Sequence, residues 1–170
     1  MHKYILISIL MILSCVSYGQ AKDSITVYYF LGEDCKICQY YTPTMNELYL
    51  EYNSSDLSFV GLFPNHFSSP DSIDAFKLKY AIPFPLKKEF FLTKTELFGV
   101  TVTPEVVVYN ETTEEILYQG RIDNSYYKLG RRRQVITNHE LRDVLNCIDD
   151  GRVIDIPEEV PIGCLISFKN

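Results

Sequence analysis

Apolar and polar positions follow two different periods in the first part of the chain. Residues 25–31 form an almost unbroken run of β-branched and aromatic side chains, which predicts a strand buried on both faces of a sheet. Gly32, Glu33 and Asp34 interrupt the run. From Cys35 onward the spacing becomes helical and predicts an amphipathic helix with the apolar stripe Ile37, Tyr41, Met45, Leu48 and Tyr52.

The pattern continues with a second strand and two further helices. Residues 57–63 are apolar enough to form a strand. Ser69 and Pro70 are typical of a helix N-terminus, because serine caps the free backbone N–H groups and proline fits the first helical turn. Residues 92–98 predict a short helix.

The second half predicts a hairpin and a last helix. Residues 104–109 form another apolar strand, and a polar turn leads into an antiparallel strand at 115–119. Thr137 and Glu140 have the spacing of a capping box, which predicts a helix that runs to about Asp149. The buried face of this helix is expected to comprise Leu141, Val144, Leu145 and Ile148.

This order of elements predicts an α/β sandwich, in which helices flank a mixed central sheet. Residues 20–150 are enough for one domain with a hydrophobic core, and no linker or repeat divides them. Residues 151–170 hold two prolines and are expected to form an extended C-terminal tail over the body of the domain.

The first 19 residues have the pattern of an export signal. A short basic start precedes the apolar stretch Tyr4–Val16, which is too short to span a bilayer comfortably. Ser17 and Gly19 occupy the small-residue positions before a cleavage site, which predicts a signal peptide over residues 1–19. The alternative is a loose lipobox that ends at Cys15 and would anchor the chain to a lipid. Both alternatives predict export, to the periplasm or to an outer surface.

Charge and cysteine content narrow the choice of function. The formal net charge of −6 argues against nucleic acid as the main partner. The basic run Arg131–Arg133 is expected to be a solvated loop before the last helix. Four of the five cysteines follow the predicted leader, at positions 35, 38, 147 and 164. Export places them where disulfides persist, which suits a structural or a catalytic bridge.

Cys35 and Cys38 stand at the junction between a predicted strand and a predicted helix. The free N–H groups and the positive dipole at a helix N-terminus favour Cys35 as a thiolate, the form that attacks disulfides. Cys38, one turn away, is placed to resolve the mixed disulfide, and Cys35 is expected to be reachable from solvent. Lys36 favours the thiolate, and the acidic residues at 33 and 34 disfavour it.

Other uses of a C-x-x-C pair stay open at this point. A zinc site would need further ligands from Cys147, Cys164, His66 or His139, none of which has metal-ligand spacing. A copper-binding module would need one of the two histidines to approach both thiolates. A purely structural disulfide is the third alternative.

Two motifs together resemble the thioredoxin superfamily, in particular its exported branch of redoxin-like thiol-disulfide oxidoreductases. One is Cys35-Lys36-Ile37-Cys38 after a hydrophobic strand, with Pro43 five residues later. The other is Thr103-Pro104 before a buried strand, which is similar to that family's cis-proline loop. The resemblance implies that Thr103 and Pro104 bind substrate; the alternative is a trans proline that merely starts the strand.

The sequence departs from the family pattern at two positions and adds one element. Asp34 replaces the tryptophan that often precedes the first cysteine, and Tyr29 replaces the buried acid of thioredoxins proper. Gly163-Cys164-Leu165-Ile166 resembles a C-terminal element in a subset of exported redoxin-like proteins. Cys164 has three alternatives: a bridge to Cys147, an additional resolving thiol for the dithiol, or a free thiol.

The resemblance implies an exported enzyme that reduces disulfides of client proteins and receives electrons from a membrane donor. Such a reaction needs no cofactor, because the dithiol itself carries the electrons. A peroxidase is the second enzymatic alternative. It would need threonine or serine three residues before the reactive cysteine, where Gly32 stands.

Overall fold

The computed structural model describes residues 23–168, so the predicted signal peptide and the possible anchor at Cys15 lie outside the described residues. The described helices are α1 Lys36–Tyr52, α2 Pro70–Lys79, α3 Thr93–Phe98 and α4 Glu140–Asp149. The described strands are β1 Ile25–Phe30, β2 Leu57–Phe63, β3 Leu86–Lys88, β4 Val102–Thr103, β5 Glu105–Asn110, β6 Glu115–Gly120, β7 Tyr126–Lys128, β8 Arg131–Arg132 and β9 Cys164–Leu165. Over this range, none of the helices combines the length and apolar character needed to cross a membrane.

Five strands form a mixed sheet in the order β3-β2-β1-β5-β6. β1 pairs in parallel with β2, and β2 pairs in parallel with β3. β5 lies antiparallel to both β1 and β6. The predicted α/β sandwich with a mixed sheet is therefore confirmed, and β3 is a short edge strand that the sequence pattern did not predict.

The two faces of the sheet carry two separate apolar clusters. Alternate residues of β1 point to opposite faces, as the pleat of a strand requires. Val27 and Tyr29 join the larger cluster, which the apolar faces of α1, α2 and α4 cover. Tyr28 and Phe30 join the smaller cluster, together with Phe98 of α3. β1 is buried at every position, which confirms the prediction of a strand covered on both sides.

Helix α1 runs through a proline without losing the hydrogen bond at that point. Pro43 has no N–H to donate to the carbonyl of Gln39, four residues earlier. The hydroxyl of Thr42 donates to that carbonyl instead, at 2.9 Å. The helix continues to Tyr52, and Asn53 is its C-cap.

Of the two predicted helix caps, one is confirmed and the other is wrong. Ser69 caps α2 by accepting from the N–H of Ser72, which confirms that helix start. The predicted capping box of α4 is wrong, because its N-cap is His139 and has no side-chain cap. Glu140 pairs with Arg121, and the hydroxyl of Thr137 accepts from Asn124 at 2.8 Å.

Two segments for which the sequence predicted no strand contain short strands. Arg131 and Arg132 form β8, which pairs with β7 in a hairpin rather than remaining an irregular loop. Their side chains are exposed, and the Arg132 guanidinium lies over the ring of Tyr40 near the start of α1. In the C-terminal tail, residues 152–163 have no helix or strand, and β9 follows them. β9 pairs antiparallel with β4.

Candidate active site

Cys35 lies between the end of β1 and the first turn of α1. Its backbone is extended, and its Sγ accepts from the N–H of Cys38 at 3.5 Å, so the cysteine itself is the N-cap of the helix. The helix N-terminus therefore presents its donors to this sulfur, as the sequence predicts. The expectation of a reachable sulfur is wrong for this conformation, because only 5% of Cys35 is exposed.

Hydrogen bonds to the Cys35 sulfur stabilise its thiolate. The Cys38 thiol has the largest effect and outweighs burial, which opposes it; the Cys164 thiol and the backbone N–H groups of Cys38 and Ile37 add to it. Together they lower the pKa of Cys35 to about 5. Lys36 is exposed and donates to Gln39 Oε1 at 3.1 Å. The thiolate therefore depends on thiol and backbone donors, and not on the lysine that the sequence suggested.

Cys38 has the opposite ionisation. It is fully buried, and its Sγ accepts from the N–H of Gly32 at 3.4 Å. Burial raises the pKa of the Cys38 thiol well above its ordinary range, and hydrogen bonding to the Cys35 thiolate raises it further. One sulfur of the pair is thus ready to attack, and the other keeps its proton.

The two acidic residues before Cys35 have different surroundings. Glu33 accepts hydrogen bonds from the hydroxyls of Ser68 and Ser72, at 2.7 and 2.8 Å. The side chain of Asp34 is exposed. Their predicted opposition to the thiolate is therefore outweighed, because the pKa of Cys35 is lowered.

Thr103 and Pro104 lie directly beside the dithiol. The Thr103–Pro104 peptide bond is cis. The Cys35 thiol, when protonated, donates to the carbonyl of Thr103 at 3.2 Å. The structure therefore brings together the two motifs, about 70 residues apart, that the sequence analysis singled out. Their role in substrate binding stays a prediction.

Cys164 is a third sulfur at this site. Strand pairing places it opposite Thr103, and its Sγ lies 2.9 Å from the Sγ of Cys35. Burial raises the pKa of Cys164 to about 12, and the hydrogen bond to Cys35 contributes. Cys147 is buried in α4, and the four described cysteines are all free thiols.

A small cavity next to Cys35 contains two residues that the sequence analysis did not single out, Asn65 and Phe67. It has a volume of about 130 Å³, and Cys35, Cys164 and Leu165 also line it. Asn65 follows β2 and accepts from the N–H of Ser167 at 2.8 Å. No local signal marks these residues, because their position depends on contacts with the distant C-terminal tail.

The two histidines that a copper-binding module could use have other positions or contacts. His66 Nδ1 lies 3.1 Å from the carbonyl oxygen of Ser167, and His139 is the N-cap of α4. Among residues 23–168, no three His, Cys, Asp or Glu side chains form a group that could hold a metal ion. The geometry therefore gives the copper alternative no support.

The sheet order, the dithiol at the start of α1 and the adjacent cis proline together define a thioredoxin-like fold. Neither a protein-family model nor a curated protein sequence matches the chain. Solved structures do match it.

The structural matches have low sequence identity. One is an uncharacterized conserved protein from Geobacillus kaustophilus, with a TM-score of 0.76 and 21% identity over 87% of this chain and 79% of that chain. A hypothetical protein from Sinorhizobium meliloti has a TM-score of 0.74 and 18% identity over 87% of this chain and 81% of that one. A thioredoxin-like protein from Aeropyrum pernix has a TM-score of 0.50 and 15% identity over 59% and 71%. At these identities the matches show the fold alone.

Proposed function

We propose that the chain is an exported thiol-disulfide oxidoreductase that reduces disulfides of client proteins through Cys35 and Cys38. The observation that carries this proposal is the position of Cys35 as the N-cap of α1, with Cys38 fully buried one turn away. Cys35 is a thiolate at neutral pH, because its pKa is lowered to about 5, and the buried Cys38 remains a thiol. This is the arrangement that a nucleophile and a resolving thiol require.

The reaction has two exchange steps. The Cys35 thiolate attacks one sulfur of a client disulfide; a Cys35–client bond forms, the client S–S bond breaks, and the other client sulfur leaves and takes up a proton. Cys38 then loses its proton and attacks Cys35 Sγ. The Cys35–Cys38 disulfide forms, and the second client thiol is released. Tyr29 is not a carboxylic acid, and burial raises the pKa of its hydroxyl, so the proton of Cys38 leaves through another group or water.

Replacing Cys35 by serine tests the assignment. We expect the reduced wild-type protein to reduce insulin disulfides, and Cys35→Ser to have no activity because the nucleophile is lost. The double variant Cys38→Ser/Cys164→Ser should accumulate a mixed disulfide with the client, visible on a non-reducing gel, because it lacks both neighbouring thiols that could release the client. Cys147→Ser is the matched control, since it removes a buried thiol away from the site. Full activity in Cys35→Ser would contradict the proposal.

The opposite direction of electron flow, from the client to the chain, is a second candidate function. A stabilised Cys35 thiolate favours the reduced pair, and this makes a dithiol more oxidising. The same site would then serve a disulfide oxidase or isomerase. A reduction potential at or below about −250 mV supports the reductant, and one between about −180 and −120 mV supports the oxidase or isomerase.

Export and the membrane donor belong to the same proposal. The leader pattern of residues 1–19 supports secretion, and a reductant outside the cytoplasm needs electrons from a membrane protein. Intact-mass analysis of the mature chain tests the leader. A chain that starts at Gln20 or Ala21 supports a cleaved signal, and a lipid on Cys15 supports the anchor.

The peroxidase alternative has no structural support. Gly32 stands where such an enzyme would need a threonine or serine, and it packs closely against its neighbours. A Cβ atom there would lie 3.0 Å from Asn65 Nδ2 and 3.3 Å from Thr103 Oγ1.

A further inference from the structure

The end of the C-terminal tail is held on both sides of Cys164. Gly163 packs so closely on Thr103 that a Cβ atom at this position would collide with the Thr103 carbonyl. After Cys164, the N–H of Ile166 donates to the carbonyl of Thr101 at 2.9 Å. The side chain of Ile166 is 7% exposed and belongs to the smaller apolar cluster. The position of the thiol between these contacts is therefore fixed by the backbone.

This segment takes the position that an external client would need. An uncovered strand edge next to a nucleophile is a template for an incoming extended peptide. β9 pairs with that edge of β4 and sets Cys164 opposite Thr103, which brings its sulfur to Cys35. An external polypeptide that pairs with β4 in this register would present its own cysteine at the same point. The two chains cannot occupy the edge together.

We propose that the segment Gly163–Ile166 is an internal client: Cys164 forms a reversible disulfide with Cys35, and the segment leaves β4 when an external polypeptide client binds. This inference rests on the proposed function. It adds that a segment of the chain itself competes with external clients for β4. The sulfur atoms, 2.9 Å apart, are two free thiols rather than a bond, because an S–S bond is about 2.05 Å long.

The internal disulfide forms by exchange and needs no oxidant beyond the client disulfide. Once a client that is joined to Cys35 through its sulfur has left the edge of β4, the segment returns, and Cys164 loses its proton and attacks Cys35 Sγ. The Cys35–Cys164 bond forms, the Cys35–client bond breaks, and the client leaves as a thiolate that takes up a proton. Cys38 can then attack Cys35 Sγ, form the Cys35–Cys38 disulfide and release Cys164 as a thiol. Burial, the main cause of the raised pKa of Cys164, remains in this state, and the smaller contributions of the Cys35 thiolate disappear once Cys35 is in a disulfide.

Cys38→Ser isolates the first of these exchanges. The full chain is equilibrated in glutathione and glutathione disulfide, and its peptides are mapped by mass spectrometry without reduction. We expect a linked peptide pair that contains Cys35 and Cys164, about tenfold more abundant than glutathione on Cys35, because the internal thiol has a high effective concentration. Cys38→Ser/Cys164→Ser should retain the glutathione adduct. Glutathione on Cys35 beside a free Cys164 would overturn the proposal.

Gly163→Ala tests the competition for β4. The added methyl group collides with Thr103 and expels the segment, so the KM for insulin should fall about tenfold with dithiothreitol as electron donor. Val160→Ala is the matched control, since Val160 is exposed in the same tail. A KM of Gly163→Ala equal to that of the wild type would also overturn the proposal. Absence of turnover in every protein would instead contradict the proposed function, and the Cys35–Cys164 link would still be measurable.

Discussion

Removing the Cys164 thiol should raise the pKa of Cys35. The Cys164 Sγ donates to the Cys35 sulfur at 2.9 Å, and this hydrogen bond is one of the causes that hold the pKa of Cys35 at about 5. Cys164→Ala deletes the donor. Cys164→Ser is the matched control, because its hydroxyl still donates to the thiolate.

The magnitude follows from two opposing effects. A hydrogen bond to a charged group contributes about 1.5–3 kcal/mol, and one pKa unit corresponds to about 1.4 kcal/mol. Loss of the donor alone would therefore raise the pKa of Cys35 by about one to two units. Water that enters beside Cys35 stabilises the thiolate and offsets part of the rise. We expect a net rise of about one unit in Cys164→Ala and almost none in Cys164→Ser.

The rate of iodoacetamide alkylation at Cys35, followed by peptide mass spectrometry, measures this pKa. Only the thiolate reacts, so the rate rises with pH and levels off above the pKa. The wild-type midpoint should lie at about 5, and it should move to higher pH in Cys164→Ala. An unchanged or lower midpoint in Cys164→Ala would refute the view that the tail thiol stabilises the nucleophile.

Three further predictions concern stability and are measured by urea unfolding. The hydroxyl of Tyr29 is buried without a hydrogen-bond partner in the described part of the chain, so Tyr29→Phe should leave the free energy of unfolding unchanged or raise it by about 1 kcal/mol. Tyr41→Phe should lower it by about 1 kcal/mol, because the Tyr41 hydroxyl donates to Asp123 at 2.7 Å. Glu140→Gln should lower it by about 3 kcal/mol, since Glu140 is buried and Arg121 would lose a charged partner; a loss below that of Tyr41→Phe would contradict this reasoning.

The parts of the fold that local signals determine were predictable from sequence. β1 and α1 lie where the change from a continuous apolar run to helical spacing places them. Ser69 caps α2 with a partner three residues away, so its neighbours suffice to specify it. The position of Cys35 at the start of α1 followed from the same local pattern, and with it the identity of the expected nucleophile.

The parts of the fold that depend on contacts between distant residues could not be predicted from the sequence. The spacing of Thr137 and Glu140 suits a capping box, but Asn124 and Arg121 bind these side chains instead. Cys164 stands 129 residues from Cys35, and only the pairing of β9 with β4 brings the two together. The sequence predicted the position of Cys35 at the start of α1, and the three-dimensional structure shows the third sulfur that lies beside it.

If the segment Gly163–Ile166 leaves β4 as proposed, the anchoring of Ile166 in the smaller apolar cluster determines how often Cys35 is uncovered. Exposing one isoleucine to water costs about 1.5–3 kcal/mol, so the detached segment would be present in about one to several per cent of the molecules. A protease that needs an unfolded stretch around Leu165 would cut only during these excursions. The rate of cleavage would therefore report how frequently the segment detaches, and no substrate of the dithiol is needed for the measurement.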